Sequence, residues 1–399
     1  MRRLSAVGLL TLAMAVWSCG NSGGGGGAAL AGPPLTVGAL FDLSGATADV
    51  GTPFASGVRD YWNWKNKHGG VAGGRQVILE WHDYAYQVPQ AEQFYSQFVA
   101  DKAVAIQGYG TADTNALRDK IVADKVPYTS LSYDAALTDP TKFPYNFVPG
   151  TSYSDQLEIA LNWIVAQSPG HNEVAFFHSN SPFGTSPVAD GRKYITDKHL
   201  DIGFSTYAMA SDPTALTAQV TQAKQTQNAK YVIIQNIPKG GAAVAKNVAS
   251  LGGGMKLICL NWCTNEVYIK TAGDMSEGTV GIAPWLPVNV AGRDAPALKD
   301  PIASLRARGG DVTVEGGLYS QAWLQSSLVA HAIDQAASSG QPTGESIRAA
   351  FEKISNFDTG GIAVGNISFS ATNHQGLQGA VICVVKDGKW IKLEGKQLP

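Results

Sequence analysis

Charge is scarce in this chain. Only 16% of its 399 residues are Asp, Glu, Lys or Arg, and 30 basic side chains against 32 acidic ones leave a formal charge of −2. No basic stripe or cluster is present, which argues against a nucleic-acid-binding surface. Beyond the N-terminal segment there is no run of about 20 apolar residues, so the body of the chain has no helix built to span a bilayer. Phosphate fingerprints are missing: neither Gly-x-Gly-x-x-Gly nor the Lys-Ser/Thr of a P-loop occurs. No Gly-x-Ser-x-Gly links a strand to a helix, and no His-Glu-x-x-His is found. His82, Asp83, His178 and His374 are scattered, with no spacing that joins them as acid and base. The chain is therefore read as non-enzymatic, without cofactor or metal.

Cysteine is rare as well. Four are present, Cys19, Cys259, Cys263 and Cys383. The last three are an odd number, so at least one thiol stays free. Cys259 and Cys263 stand four residues apart with no His or further Cys near them; Cys259 lies in the apolar run "KLICL" and Cys383 in "AVICVV". They read as buried strand cysteines rather than metal ligands, since free Cys behaves as a small hydrophobe.

What the chain does have is glycine, 45 residues of it, five in a row within "AVWSCGNSGGGGGAALAGPP" (15–34). A packed core cannot use such a tract, because glycine loses most freedom on ordering and buries no side chain. The preceding residues explain it. Met1-Arg2-Arg3 and a short apolar stretch containing Leu9, Leu10, Leu12 and Val16 describe a secretory signal peptide over 1–18. Val16-Trp17-Ser18-Cys19-Gly20 resembles a bacterial lipobox, which would make Cys19 a lipidated first residue and 19–34 a flexible tether. The alternative is cleavage further on, with Cys19 discarded. Loss of the two charges of Arg2 and Arg3 would take the net charge from −2 to −4.

From position 35 apolar runs alternate with helical periodicity. "LTVGAL" (35–40), "QVILEW" (76–81), "AVAIQ" (103–107) and "VPYTSLS" (126–132) read as strands. Between them Phe54, Val58 and Tyr61 recur at helical spacing. So do Ala91, Phe94, Tyr95, Phe98 and Val99, and then Leu117, Ile121 and Val122. After "FVPGTSYS" (147–154) the alternation restarts. Leu157, Leu161, Ile164 and Val165 mark a helix, and "EVAFFH" (173–178), "KYVIIQ" (230–235) and "KLICL" (256–260) are near-continuous apolar strands with helical stretches between. Strands buried on both faces read this way, and repeated βα units build parallel sheets. The expectation is two doubly wound α/β lobes, with ligands outside the carboxyl ends of the strands.

Two features stand at those ends. "GYGTADTN" (108–115) follows a strand and opens a helix; Gly108 and Gly110 allow close backbone approach, and Thr111 and Asp113 can cap the helix. A capped turn without a ligand is the equal alternative. "GGVAGG" (69–74), by contrast, joins helix to strand, so Gly69 or Gly70 reads as a C-cap. Aromatics also gather at strand ends: Tyr84 and Tyr86, Tyr133, Phe183 and Trp262 suggest a lined cleft.

The order of "GALFDLSGATADVG" (38–51), "KHGGVAGGRQVILEWHDYAY" (67–86), "GYGTADT" (108–114), "TSLSYDAALTDP" (129–140), "SPFG" (181–184), "AGDMSEGTVG" (272–281) and "NFDTGG" (356–361) resembles the leucine/isoleucine/valine-type periplasmic binding proteins of ABC importers. The resemblance implies two lobes joined by three crossings, 35–150 with 285–378 and 151–284 with 379–399, closing by hinge motion on a ligand between them. It implies a monomer in the periplasm or at the cell surface that delivers its ligand to a permease with its ATPase. Family positions that hold the ligand's carboxylate match Thr111 and Ser132-Tyr133, and pocket tyrosines match Val50 and Phe183. Gly110, Tyr109, Tyr84 and Trp262 are further ligand-binding candidates. The family's disulfide positions match Tyr86 and Gly110, so that bridge is absent. Its ammonium-pairing acid matches Asn261, which carries no charge. A simple branched-chain amino acid is therefore not the expected ligand; a neutral amide or an apolar or aromatic carboxylate is. The alternative is that Asp83, Asp113, Asp134 or Glu266 supplies the acid from another strand end. A ligand-sensing module of the same fold is the other functional reading.

Overall fold

The computed structural model describes residues 32–292 and 295–393. Cys19, the apolar leader and nearly all of the glycine tether lie outside these residues. The first lobe opens with β1 (Leu35–Phe41), α1 (Ala48–Lys67), β2 (Val77–Asp83), α2 (Val88–Ala100), β3 (Ala105–Gln107), α3 (Thr111–Asp124), β4 (Tyr128–Thr129) and β5 (Asn146–Phe147). Its sheet has the order β2-β1-β3-β4-β5, and every pairing is parallel.

The chain then crosses into the second lobe with α4 (Tyr153–Gln167), β6 (Asn172–Ser179), α5 (Pro182–Thr185), α6 (Val188–Asp197), β7 (Ile202–Met209), α7 (Thr217–Thr221), β8 (Tyr231–Gln235), α8 (Pro238–Ser250), β9 (Lys256–Cys259), α9 (Glu266–Ala272) and β10 (Val280–Ala283). It returns to the first lobe as α10 (Val288–Ala291), α11 (Lys299–Ala307), α12 (Val312–Ala337) and α13 (Gly344–Phe351). It ends in the second sheet with β11 (Val381–Lys386) and β12 (Lys389–Lys392). That sheet runs β12-β11-β10-β9-β8-β6-β7. The expected doubly wound pair is present, with one modification: β11 and β12 are antiparallel and extend the far edge.

The apolar runs become strands because both faces of each sheet are covered. In the second lobe two apolar clusters flank one sheet: Phe177, Val232, Ile234 and Cys259 face one side, and Val174, Phe176, Ile233 and Ile258 the other. Strand β7 is the main departure. The periodicity reading leaves 202–209 within a helical stretch, but "IGFSTYAM" is an edge strand with only Ile202, Tyr207 and Met209 buried. Half-exposed edges do not read as apolar runs. Cys259 and Cys263 are buried as expected, but Cys263 lies past the strand in a short 3-10 turn, and the two form a disulfide; Cys383 is free and buried.

Helix α12 secures the first lobe. Its 26 residues are apolar on most sides, and Leu318, Tyr319, Ala322, Leu328, Val329 and Ile333 enter the same core as β1 and α1. A buried polar relay ties the layers together: Trp62 Nε1 of α1 donates to Gln107 Oε1 of β3 at 2.8 Å, and Gln107 Nε2 donates to Ser326 Oγ of α12 at 3.1 Å. Leaving a buried acceptor short of its donor costs about 1–3 kcal/mol. Trp62→Phe is accordingly expected to lower unfolding stability by about that amount in urea titration. An unchanged midpoint would show that the relay carries no stability.

Candidate functional site

In each sheet the strand order reverses, at β1/β3 and at β6/β8, and such switch points open crevices outside the strand ends. The two crevices face each other. Between them lies a small cavity of about 30 Å³, lined by Thr47, Val50, Tyr86, Tyr109, Gly110, Thr111, Leu131, Tyr153, Phe183, Ile237 and Trp262. Most of these sit just past a strand end. Thr47 follows β1, Tyr86 follows β2, Tyr109–Thr111 follow β3, Leu131 follows β4, Phe183 follows β6, Ile237 follows β8 and Trp262 follows β9.

The walls are aromatic. Tyr86 and Tyr109 meet edge to face at 6.2 Å, and Tyr153 meets Phe183 at 5.3 Å. Trp262 stacks on Tyr133 at 5.4 Å and donates its Nε1–H to the Tyr153 hydroxyl at 2.9 Å. Tyr133 is itself held from α12, its hydroxyl accepting from Gln321 and Gln325 at 2.7 and 2.9 Å. At the mouth, Asp49 of α1 accepts the backbone N–H of Lys239 at the start of α8, at 3.0 Å, so the lobes touch directly. Burial pushes the Asp49 carboxyl up to about 6, opposed by that N–H and by the Lys239 charge.

The start of α3 forms one end of the cavity. Thr111 lines it; its Oγ1 accepts from Ser132 Oγ at 2.8 Å, and its hydroxyl faces that of Tyr153. Asp113 caps the helix as expected: its Oδ2 accepts the Gly110 N–H at 3.1 Å and its Oδ1 the Tyr84 hydroxyl at 2.8 Å. Thr111 does not cap; the N-cap is Gly110. Burial pushes Asp113 up to about 7 against these hydrogen bonds, and pushes the Tyr86 and Tyr109 phenols well above their ordinary range. The phenols are therefore neutral hydroxyls at neutral pH. No Asp, Glu, Lys, Arg or His is among the lining residues. Such a surface can hold a small molecule by aromatic contact and neutral hydrogen bonds.

Of the residues singled out from sequence, Val50, Tyr86, Tyr109, Gly110, Thr111, Phe183 and Trp262 line the cavity. Ser132 stands behind Thr111, Tyr133 behind Trp262, and Tyr84 behind Gly110 through Asp113. Asn261 does not line it. Its backbone N–H donates to Gln156 Oε1 at 3.0 Å, and its Nδ2 is buried without a partner among the described residues. Nor do Asp83, Asp113, Asp134 or Glu266 line it. Glu266 instead accepts the Val288 N–H, and Asp134 caps a short 3-10 turn.

Sequence reading missed Tyr153, Thr47, Leu131 and Ile237, and named Tyr86 only as one of the strand-end aromatics. Tyr86 had one signal, its place just past β2; it and Ala85 follow that strand with φ of 58° and 49°, a left-handed pair costing about 1–3 kcal/mol per residue. That turn lays the Tyr86 ring against Gly110. A Cβ at Gly110 would stand 2.6 Å from Tyr86 Cε2 and 2.7 Å from the Tyr84 hydroxyl. Tyr153 had none, because it opens a helix rather than following a strand. Among the described residues no three His, Cys, Asp or Glu side chains gather to hold a metal ion, and no helix is long and apolar enough to cross a membrane.

The sequence profile of the periplasmic binding protein family matches residues 34–389, and the chain belongs to that family. Among solved structures it is similar to a branched chain amino acid ABC transporter from Thermus thermophilus with bound valine, at 26% identity and a TM-score of 0.84 over 90% of this chain and 95% of that one. An ABC transporter substrate binding protein from Aeropyrum pernix shares 25% identity at a TM-score of 0.79, over 90% and 94%. A fatty acid ABC transporter substrate-binding protein from Thermomonospora curvata has the same fold at 18% identity and a TM-score of 0.78, over 92% and 95%. Comparison with curated protein sequences returns no significant match.

Gly110→Ala is expected to force Tyr84 and Tyr86 out of place and to destabilise the protein by about 1–3 kcal/mol, the usual cost of overpacking. Thermal unfolding checks it. An unchanged melting midpoint would show that the strand ends yield freely.

Proposed function

We propose that the protein is the extracytoplasmic solute-binding component of an ABC importer, tethered to the membrane by lipid on Cys19. It takes a small apolar or aromatic carboxylate, or a neutral amide, between its lobes and delivers it to the permease. The observation that carries the ligand class is the lining itself: aromatic faces and neutral hydroxyls, with no ionisable acid to receive an ammonium. Burying an ammonium without a counter-charge costs several kcal/mol even after relaxation. Family membership and the likeness to proteins described as ABC transporter components support the transport role. The carboxylate or carbonyl end meets the Thr111 hydroxyl at the start of α3, and the body of the ligand lies against Tyr86, Tyr109, Phe183 and Trp262.

Calorimetric titration of leucine, its deaminated analogue, benzoate and benzamide tests the ligand class. Tighter binding of an acid or amide lacking the amino group is expected. Micromolar leucine binding that vanishes when the amino group is removed would overturn it. Hydrogen bonds with a charged partner contribute about 1.5–3 kcal/mol, so Thr111→Ala should weaken binding about tenfold or more. For the anchor, Cys19→Ala should move the protein from the membrane fraction to the soluble one, and continued membrane retention would count against lipidation.

A further inference from the structure

The start of α3 already holds a carboxylate. Asp113 is 1% exposed, and its two oxygens take the Gly110 N–H and the Tyr84 O–H. Gly110 and Thr111 line the cavity, so a ligand anion placed at Thr111 comes to the same helix start. The groups facing Asp113 bring no positive charge. From the end of β1 comes Asp42, buried and of the same sign; from the end of β2, Tyr84 and Tyr86; from β4, Tyr128, with Tyr95 of α2 beyond it. Across the cleft α5 (Pro182–Thr185) abuts α3 and has no titratable side chain. On α3 itself Arg118, Asp119, Lys120 and Asp124 stand in later turns, half-exposed or exposed. Two carboxylates in one buried site cannot both stay charged, because each raises the proton affinity of the other.

We propose that a carboxylate ligand binds between the lobes together with one proton, taken from solvent onto Asp113, so that the bound state holds the ligand's anion against a neutral Asp113. Nothing else forms or breaks: the proton moves from water to an Asp113 oxygen, and the Gly110 N–H keeps an acceptor. Asp113 touches no ligand in this arrangement; it sets which charge the site admits. The inference rests on the carboxylate reading above and goes beyond it by specifying the proton balance.

The sign follows from linkage. Burial already holds Asp113 at about 7 without ligand, and a bound anion raises it further. A group whose pKa rises on binding takes up a proton, so affinity is full below about 7 and falls up to about tenfold for each pH unit above it. A neutral ligand leaves Asp113 alone. It also controls for any titration that acts on lobe closure, Asp49 included.

The test is calorimetry on the mature full-length chain with benzoate and benzamide, in buffers of different ionisation enthalpy. Benzoate should take up close to one proton at about pH 8 and far less at about pH 6, and benzamide none at either. Asp113→Asn should abolish the uptake and bind benzoate about tenfold or more tighter than the wild type at about pH 8. Tyr84→Phe removes one donor to the carboxylate and leaves the backbone unchanged, so it should move the break in benzoate affinity to higher pH. Benzoate binding without proton uptake, or with uptake that persists in Asp113→Asn, overturns the coupling alone. So does an Asp113 side-chain carbon resonance in the free protein that titrates near the ordinary value of about 4. Binding of neither probe overturns the carboxylate reading, and this inference with it.

Discussion

The buried carboxylate of Asp113 is the interaction around which the first lobe's half of the site is arranged. It holds the first N–H of α3 through Gly110 and the ring of Tyr84 through its hydroxyl. Tyr84 in turn packs against Tyr86 and Tyr109 at 6.0 and 6.2 Å, so one side chain orders three aromatic rings and a helix terminus. The arrangement leaves no room for a side chain at Gly110. It also puts a proton-binding group behind a surface whose exposed polar atoms are neutral hydroxyls. Position and proton affinity are set by the same residue, which stands one layer behind the lining.

The second lobe completes the cavity from the opposite side with Phe183, Ile237 and Trp262. Two of its hydrogen-bonded contacts with the first lobe lie beside the cavity. Tyr153, where the chain enters α4, receives the Trp262 N–H and donates back to the Leu131 carbonyl of the first lobe, so the two halves share a hydrogen-bonded seam at the crossing. At the mouth, Asp49 reaches the backbone of α8. A ligand in this cavity would touch residues of both lobes at once.

The fold was largely legible. Strands such as "EVAFFH" and "KYVIIQ" are apolar on both faces because helices cover both faces, and that produces a continuous run. Where burial is partial, legibility fails: β7 reads as part of a helical stretch because residues 203–206 are all only half-buried, which leaves neither an apolar run nor a clean alternation. The pairing of Cys259 with Cys263 was not read either, since it needs the turn after β9 to bring Cys263 back within reach. For the site, position after a strand identified Tyr109, Gly110, Thr111, Phe183 and Trp262. The same rule carried Tyr84 and Tyr133 too far forward, for both are buried one layer behind the surface.

By itself the sequence determined the alternation of strands and helices, the break near residue 150, the glycine and aromatic residues at strand ends, and an acid at the third position of the helix that follows β3. These depend on local periodicity and on chain order, which a linear string records. Only the tertiary structure decided which of those residues share a surface. Tyr153, Leu131 and Ile237 enter the cavity because two sheets face each other; Asn261 stays outside the lining, its backbone N–H donated to Gln156. The charge of the site was decided there as well, since the proton affinity of Asp113 follows from how deeply Tyr84, Tyr86 and the helix start enclose it. Burial is a property of everything packed around a group, and no spacing along the chain encodes it.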